Sequence, residues 1–456
     1  MAFFHIPNEI RIIFTIFAAY HFLAQNCMRK QKVLLDDYLT KHWNMDKQRQ
    51  DLIERKQYMQ QLRDLKDQNI IKVISGVRRC GKSTLLMMFA DELIRSGVQK
   101  EQIQILNFED LDTLAIGDIF QIHNYIKERL VADKPNYIFL DEIQNIKDFQ
   151  RLVDSLYIKS NVDVYITGSN AYLLSGELAT LLTGRYVEIN LLPLQFSEYY
   201  NFILSKSPNL SKMETLANFL HFGGIPEYHK QLMVSEKQAD LFADSILKTI
   251  VEKDIFQRLN ITNKHDFNKI LDFILDSVGS YVSPRSISDT LRSNGTVVDK
   301  QTVAKYLDAL CEAYLIYKVP RFEIKGKGLL QTLNKYYVVD PIFAKVRLKK
   351  AMLKDRSHWL ENMVYLELVR RNKEVFIGKR DKLEVDFVVV DHKDYTSYYQ
   401  VAWTTEDADT LDRELASLKA IKDSTPKYLL TTDVDFNPVY EGIRKLNVID
   451  WMLQNE

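Results

Sequence analysis

Cysteine is scarce in this chain, with three residues in 456, and the pattern excludes a disulfide-bonded secreted scaffold. Cys27, Cys80 and Cys311 lie far apart and lack the close spacing of a metal site. The sequence also lacks internal repeats and low-complexity segments. We therefore expect a cytoplasmic protein, because free cysteines suit a reducing compartment.

An excess of charge of one sign is absent as well, since 61 Lys and Arg residues balance 61 Asp and Glu residues. A global basic field for nucleic acid is therefore excluded, and any such binding must use a local patch. The composition, 46% hydrophobic and 27% charged, is ordinary for a globular protein. The length predicts about two to four domains.

One octet indicates a ligand class. Residues 76–83 read G-V-R-R-C-G-K-S and match the pattern G-x-x-x-x-G-K-[S/T]. The apolar run at 70–74 predicts a buried strand before it, and the spacing at 83–95 predicts a helix after it. A glycine loop that leads into a helix N-terminus binds phosphate, so ATP is the predicted ligand. The predicted nucleotide-binding residues are Gly76, Val77, Arg78, Arg79, Cys80, Gly81, Lys82, Ser83 and Thr84.

The loop side chains have distinct predicted roles. Lys82 can reach the β- and γ-phosphates, and the Ser83 hydroxyl can bind Mg²⁺. Arg78 and Arg79 either add positive field to the loop or point at a neighbouring acidic surface.

Two carboxylates follow an apolar strand at 137–140. Asp141 is the predicted second Mg²⁺ ligand, and Glu142 is the predicted base that polarises the attacking water. A further strand, predicted at 103–108, precedes them in the sequence. This order and the adjacent glutamate favour the AAA/ASCE branch of the P-loop NTPase fold, as against a solvated strand end.

Two further residues are candidates for catalysis. Asn170 follows the strand predicted at 162–167 and can orient the attacking water, although the same residues could form a plain turn. Arg185 could act as an arginine finger in a neighbouring copy of a homo-oligomer, or be an ordinary surface residue.

The predicted fold class is α/β. Five strand-like runs, separated mostly by helical patterns, indicate a parallel sheet covered on both faces. A helical region at 195–260 follows, with a break at 223–226, and then a winged-helix pattern of three helices and two strands. The last hundred residues mix helices and strands, and the run at 439–446 is predicted to be helical.

The apolar run at 10–24 is shorter than the roughly 20 residues that a membrane-spanning helix needs. It resembles a signal-peptide core, but export would place the ATP site where there is no ATP. The remaining alternatives are a membrane-touching helix and an upstream extension with the true start at Met28 or Met45. We favour the extension and expect no membrane partner.

The chain resembles the prokaryotic AAA-type ATP-binding proteins that carry a C-terminal domain of unknown function related to restriction endonucleases. The matching pieces are G-V-R-R-C-G-K-S-T-L-L, F-L-D-E-I-Q, I-T-G-S-N-A, L-T-G-R-Y, F-G-G-I-P-E-Y, W-L-E-N-M-V-Y-L-E-L and E-V-D-F-V. The expected organisation is an extension at 1–44, a P-loop AAA-type ATPase domain at 45–194, a helical lid at 195–262, a winged helix at 263–345 and a degenerate restriction-endonuclease-like domain at 346–456.

The winged-helix pattern raises the question of DNA. Residues 281–330 hold eight Lys and Arg residues against five acids, and Lys318, Arg321, Lys325 and Lys327 form a predicted phosphate-contacting edge. The alternative is a structural winged helix that docks on the ATPase.

The resemblance implies that the tail is a degenerate nuclease. Active members of that fold place an aspartate on one strand and Glu-x-Lys on the next. Asp386 matches the aspartate, but Gln400 and Ala402 stand where Glu and Lys would be. Glu361, Glu384 and Asp386 could still gather a metal ion, but hydrolysis would lack its charge set.

We therefore expect a Mg²⁺-dependent ATPase that uses its nucleotide state to move the winged helix and the tail. A slow-turnover switch that binds a protein partner is the first alternative. An ATP-dependent DNA nuclease is the second, and Gln400 and Ala402 argue against it.

Overall fold

The computed structural model describes residues 52–171, 182, 184–324, 328–349, 356–371, 373–390, 396–435 and 438–454. The predicted extension at 1–44 and two residues of the predicted basic edge, Lys325 and Lys327, lie outside this set. The chain divides into two compact units. The first contains residues 65–71 and 86–166, and the second contains 53–64, 72–85 and the residues from 167 onward.

The five strands predicted for the P-loop domain are present. Strands β2, β3 and β4 pair in parallel, and the sheet order is β2-β3-β4-β1-β5. The strands are β1 (Ile71–Ser75), β2 (Ile103–Asn107), β3 (Asn136–Asp141), β4 (Val162–Gly168) and β5 (Tyr186–Asn190).

The core of the first unit lies on β3, which is buried at all six positions. The Phe139 and Tyr165 rings stack with centroids 4.8 Å apart, and Phe89 of the helix Lys82–Arg95 packs at 5.4 Å from Tyr165. Such aromatic packing buries a large apolar area between these two strands and the helix. The other helices of this unit are Leu111–Leu114, Ile119–Lys127 and Phe149–Tyr157.

The region after β5 is helical, as predicted. Its break is a close approach of backbone to side chain: Gly223 has φ +72°, and a Cβ there would lie 1.7 Å from Asp340 Oδ1. The Gly224 amide donates to Asp340 Oδ2 at 2.6 Å. Gly223 is therefore required by its conformation and by the close carboxylate, and Gly224 because a Cβ there would lie 2.6 Å from the carbonyl oxygen of Leu194. The helices are Phe196–Lys206, Lys212–Phe222, Pro226–Leu232 and Glu236–Thr249, and a π-helix, Ile250–Gln257, follows.

The winged-helix pattern yields three helices, Lys264–Asp276, Pro284–Ser293 and Lys300–Glu312. The Ser283 hydroxyl caps the second by accepting from the Ser286 amide, as its Ser-Pro start predicts. Among the helices that the structure describes, none has the length and apolarity needed to cross a membrane.

The strands of the winged-helix segment continue into the tail. Nine strands form one sheet in the order β13-β14-β12-β11-β10-β9-β7-β8-β6, and β7 pairs in parallel with β9. This sheet crosses the boundary predicted at 345/346. The strands are β6 (Tyr281–Val282), β7 (Ile316–Glu323), β8 (Gly328–Val338), β9 (Glu374–Arg380), β10 (Leu383–Val390), β11 (Thr396–Val401), β12 (Lys427–Thr431), β13 (Val439–Tyr440) and β14 (Ile443–Asn447), and the helices are Pro341–Leu348, Arg356–Arg370, Ala408–Ala420 and Val448–Leu453.

The helix predicted at 439–446 is wrong. The segment is a hairpin of β13 and β14 whose turn residues Glu441 and Gly442 have φ values of +49° and +85°. Two successive left-handed residues make a tight turn that joins antiparallel strands. Strand β14 also pairs in parallel with β12, so sheet pairing outweighed the apolar spacing that favoured a helix.

Candidate phosphate-binding loop and acidic clusters

The loop at 76–83 joins β1 to the helix Lys82–Arg95, as the motif predicts. Gly76 has φ +144°, and a Cβ there would lie 2.3 Å from the carbonyl oxygen of Leu191. Gly81 has φ +107°. Both positions therefore need glycine, the first for space and conformation and the second for conformation. The loop follows the buried strand β1, and its start is held close to the Leu191 carbonyl.

Lys82 is buried at the first turn of that helix. Its Nζ donates to the carbonyl oxygens of Gly76 at 3.0 Å and Val77 at 3.2 Å. The ammonium group is therefore held across its own loop. Phosphate oxygens are stronger acceptors for an ammonium group than neutral carbonyls, so this geometry suits a lysine that transfers to a bound anion.

The remaining loop residues differ in their exposure to solvent. Val77 and Cys80 are buried, whereas Ser83 and Thr84 are half-buried and Arg79 is exposed. Arg78 does point at an acidic group, since Nε and Nη2 donate to the two carboxylate oxygens of Asp254 at 2.6 and 2.9 Å. Of the two alternatives predicted for Arg78, the structure therefore has the contact with an acidic group.

Arg55 is a residue of this region that the sequence reasoning missed. It is 5% exposed, and its guanidinium donates to the carbonyls of Cys80 at 3.2 Å and Leu192 at 2.6 Å and to Glu198 Oε1 at 3.0 Å. A single buried arginine thus ties the phosphate loop to the segment after β5. No motif marks it, because its partners are backbone carbonyls distant in sequence.

Asp141 and Glu142 lie at the end of β3 in the first unit, and both are buried. Glu142 adopts the left-handed conformation (φ 51°, ψ 46°) directly after the strand, and Gln144 Nε2 donates to its Oε2 at 2.5 Å. Buried carboxylates are uncommon in proteins unless they are paired or functional. The left-handed backbone conformation of Glu142 is unfavourable for a residue other than glycine, and such conformations occur often at active and binding sites.

Asn170 is buried just after β4, and its Oδ1 has no hydrogen-bond partner among the described residues. A buried amide oxygen without a partner carries a desolvation cost, which is consistent with a role toward water or a ligand. Arg185 is half-buried next to β5, with its amide donating to Leu182 O at 2.9 Å.

The predicted basic edge of the winged-helix segment is only partly accessible. Lys318 is exposed, but Arg321 is buried, with its guanidinium 5.1 Å from the centroid of the Tyr281 ring. The prediction that Arg321 contacts phosphate is therefore wrong, because a cation–π contact and the sheet hold it inside. Four other basic residues of this segment are exposed: Arg285, Arg292, Lys300 and Lys305.

The tail carboxylates gather as the resemblance implies, but a lysine lies among them. Lys335 on β8 places its Nζ 2.8 Å from Glu361 Oε1, 2.7 Å from Glu384 Oε1 and 4.0 Å from Asp386 Oδ1. We call these four residues the tail cluster. This lysine comes from a different strand than the carboxylates, and its side chain is 6% exposed.

The surroundings of the tail cluster fix its charges. Asp386 Oδ2 accepts from the Val401 amide at 2.8 Å, and Gln400 Oε1 accepts from the Asp386 amide at 3.3 Å. Burial, together with the nearby Glu361 carboxylate, raises the pKa of Asp386 well above its ordinary value. Burial alone would lower the pKa of Lys335, but the carboxylates of Glu361, Asp386 and Glu384 outweigh it and raise that pKa above its ordinary value.

A metal ion does not fit the tail cluster as it stands. The described residues contain no group of three or more His, Cys, Asp and Glu side chains arranged to hold a metal ion. The Lys335 ammonium already supplies a positive charge between the carboxylates. The prediction that Glu361, Glu384 and Asp386 could gather a metal is therefore not supported by this geometry.

Comparison with known proteins places the first part of the chain in a family. Residues 68–200 match a family model described as an AAA domain, and residues 213–353 match a domain of unknown function, DUF8612. The second match spans the boundary predicted at 262/263.

Relatives extend over most of the chain. An uncharacterized protein of Haemophilus influenzae is 37% identical over 409 residues, which cover 88% of this chain and 99% of that protein. An uncharacterized protein of Methanocaldococcus jannaschii is 29% identical and covers 84% and 85%. A Walker-type ATPase of Pyrococcus abyssi is similar in structure, with 17% identity, a TM-score of 0.44 and coverage of 66% of this chain and 97% of that one. The chain therefore belongs to the same family as the Haemophilus influenzae protein, and its residues 68–200 form an AAA-type P-loop domain.

Proposed function

We propose that this protein is a Mg²⁺-dependent ATPase whose phosphate loop is the segment 76–83. The observation that carries the proposal is the loop itself, in which two glycines adopt positive φ and Lys82 lies across the carbonyls of Gly76 and Val77. Its backbone amides and the following helix N-terminus suit a polyphosphate. The match of residues 68–200 to an AAA domain supports the same ligand class.

The proposed chemistry divides among five residues. Lys82 binds the phosphate oxygens and Glu142 accepts a proton from the attacking water, while Asn170 is proposed to orient that water. Mg²⁺, when bound, would neutralise charge on the phosphates. Its assignment to the Ser83 hydroxyl and the Asp141 carboxylate stays a prediction. One hydroxyl and one carboxylate suit this ion, which keeps several waters and binds few protein oxygens.

The proposal is tested with two variants that fail in different ways. Lys82→Ala should lose nucleotide affinity, because it removes the ammonium that pairs with the phosphates. Glu142→Gln should bind ATP as wild type does, yet hydrolyse it roughly 100- to 10,000-fold more slowly, since the base is gone. Equilibrium binding of ATP and single-turnover hydrolysis measure the two effects. ATP bound tightly by Lys82→Ala would contradict the site, and wild type that binds ATP without turnover would identify the nucleotide switch instead.

Arg185 is proposed to act on the nucleotide of a neighbouring copy. Arg185→Ala and Glu142→Gln subunits would each be inactive alone, and mixing them should restore part of the activity, because mixed assemblies contain sites with both groups. A mixture as inactive as its components would remove Arg185 from this role, and with it this argument for a homo-oligomer.

The winged-helix segment and the tail are proposed to recognise a partner, DNA or protein, rather than to cut DNA. The exposed residues Arg285, Arg292, Lys300 and Lys305 supply a local basic surface for phosphate. In the tail, Gln400 and Ala402 lack the acid and the base of a nuclease, and Lys335 is paired with carboxylates.

Incubating the protein with supercoiled and linear DNA, with Mg²⁺ or Mn²⁺ and with or without ATP, separates these roles. We expect intact DNA, with any binding that weakens as salt rises. Cleavage that disappears in Asp386→Ala would establish a nuclease and overturn this assignment.

A further inference from the structure

Arg78 links the phosphate loop to a π-helix. Its guanidinium makes a two-pronged pair with Asp254 at 2.6 and 2.9 Å, and the side chains are 15% and 4% exposed. Arg78 occupies a variable position of the loop motif, so the motif does not require this contact. The planar fork of an arginine is matched equally well by a carboxylate and by a phosphate.

Asp254 lies on the π-helix Ile250–Gln257, which continues directly from the helix Glu236–Thr249. A π-helix inserts a residue into the helical repeat and so redirects the side chains that follow it, and such turns occur frequently at functional sites. Here the redirected face carries Asp254 into the interior, beside the fully buried Ile250 and Ile255.

The same turn is connected to the winged-helix segment. Arg258 Nε donates to the backbone carbonyl of Asp254 at 2.9 Å, and its Nη2 donates to Glu312 Oε2 at 2.6 Å. Glu312 is the last residue of the helix Lys300–Glu312. A continuous path of charge-assisted hydrogen bonds therefore runs from Arg78 through Asp254 and Arg258 to this helix. We call it the Arg78–Glu312 path.

We propose that Arg78 exchanges between two anions, Asp254 and the phosphates of a bound nucleotide, and that this exchange passes the nucleotide state to the helix Lys300–Glu312. The proposal rests on the proposed function, since it needs a nucleotide in the loop. If Arg78 turns to phosphate, the buried Asp254 loses two charge-assisted hydrogen bonds, which strongly disfavours the present π-turn. The turn then shifts, and Arg258 shifts with it.

Reciprocity follows from thermodynamic linkage. If nucleotide binding weakens the Arg78–Asp254 pair, weakening that pair must strengthen nucleotide binding by the same factor. Asp254→Asn keeps the size of the side chain and removes its charge, so Arg78 is released to the phosphates. We expect this variant to bind nucleotide at least about fivefold more tightly than wild type.

The matched control is Glu252→Gln. Glu252 lies on the same π-helix and pairs with Lys264 at 2.8 Å, but both side chains are about half exposed. The substitution makes the same change of charge on the same turn without touching Arg78, so its nucleotide affinity should equal that of wild type.

The experiment combines two measurements on the full-length protein. Equilibrium binding of ADP and of a non-hydrolysable ATP analogue gives the affinities. Hydrogen exchange of the peptides that cover 250–258 and 300–312 gives the response of the path. Nucleotide should change exchange in both peptides of wild type and of Glu252→Gln. In Asp254→Asn, nucleotide should leave exchange of the 300–312 peptide unchanged, because the pair is already broken.

The outcomes are distinct from those of the proposed function. A protein that binds nucleotide while Asp254→Asn shows wild-type affinity and a wild-type response at 300–312 would overturn the path and leave the ATPase intact. A wild type that binds no nucleotide would overturn the ATPase itself. If Asp254→Asn does not fold, Arg78→Lys serves instead: lysine keeps the charge but not the fork, so the response at 300–312 should fall and not vanish. An undiminished response in that variant would also reject the path.

Discussion

The phosphate loop and the tail cluster both hold a buried lysine among oxygen atoms, but they are built differently. The loop is eight consecutive residues whose shape comes from backbone conformation at Gly76 and Gly81. The tail cluster takes Lys335 from β8, Glu361 from a helix, and Glu384 and Asp386 from β10. The first site is local in sequence, and the second exists only after the nine-stranded sheet has formed.

The two lysines differ in the charge of their hydrogen-bond partners. Lys82 donates to carbonyl oxygens of its own loop, which a phosphate can replace at little cost. Lys335 is placed among three carboxylates, and a buried ion pair is costly to break because the charges left behind are desolvated. The lysine of the loop can therefore change partners when a ligand binds, whereas the ion pairs of the tail cluster stabilise the fold.

The largest expected effect comes from Lys335→Met, which fills the space but leaves the tail carboxylates without their cation. Removing one partner of a buried ion pair costs about 3 to 5 kcal/mol. Urea unfolding should therefore show a large loss of stability. Lys419→Met is the matched control, because its pair with Glu441 is open to solvent, and solvent-exposed pairs contribute little to stability. Equal, small losses in both variants would mean that the tail cluster does not depend on its lysine.

Gly76→Ala should come next in size. The added Cβ would lie 2.3 Å from the Leu191 carbonyl oxygen, so the loop or the strand behind it must shift. We expect a loss of about 2 to 3 kcal/mol in the free energy of unfolding, and loss of nucleotide binding.

The control is Gly97→Ala, which has a similar positive φ of +100° but no atom within 4 Å of the added Cβ. It isolates the conformational penalty of about 1 to 2 kcal/mol and should leave nucleotide binding intact. If the two variants bound nucleotide equally well, the loop would not need the close approach at Gly76.

The smallest expected effect is on the pH dependence of stability. The pKa of Asp386 is raised in the folded protein, so the folded chain holds this proton more tightly than the unfolded chain does. The stabilisation from this group is therefore present below the unfolded pKa of about 4 and is lost as pH rises through the folded pKa.

Asp386→Asn removes this titration and keeps an acceptor for the Val401 amide. Its stability should fall less than that of wild type between pH 5 and pH 8, because the variant has no carboxylate at this position to lose its proton. Unfolding midpoints at both pH values measure the difference, with Asp289→Asn, an exposed carboxylate, as the control. Parallel pH profiles for wild type and Asp386→Asn would show that Asp386 is ionised in the folded protein.

Much of the fold followed from local patterns. The five strands of the P-loop domain, the helices after β5 and the capped helix that begins after Ser283 were predicted from apolar spacing and capping residues, which act within a few positions. The helix predicted at 439–446 failed because pairing with β12, distant in sequence, outweighed local spacing. The order of the strands in the sheet was not predicted, because it depends on pairing between segments that are distant in sequence.

The sequence by itself determined the phosphate loop, because glycine conformation and a lysine at a fixed offset are properties of eight adjacent residues. The sequence also shows directly that positions 400 and 402 are Gln and Ala, where an active nuclease of the resembled fold would have Glu and Lys. Three contacts were decided only by the tertiary structure. Lys335 lies among the tail carboxylates, Asp254 pairs with Arg78, and Arg55 donates to the Cys80 carbonyl of the loop. Those contacts join residues that are 25 to 176 positions apart in the chain. Charge pairing at such separations is set by tertiary packing, which no local sequence pattern encodes.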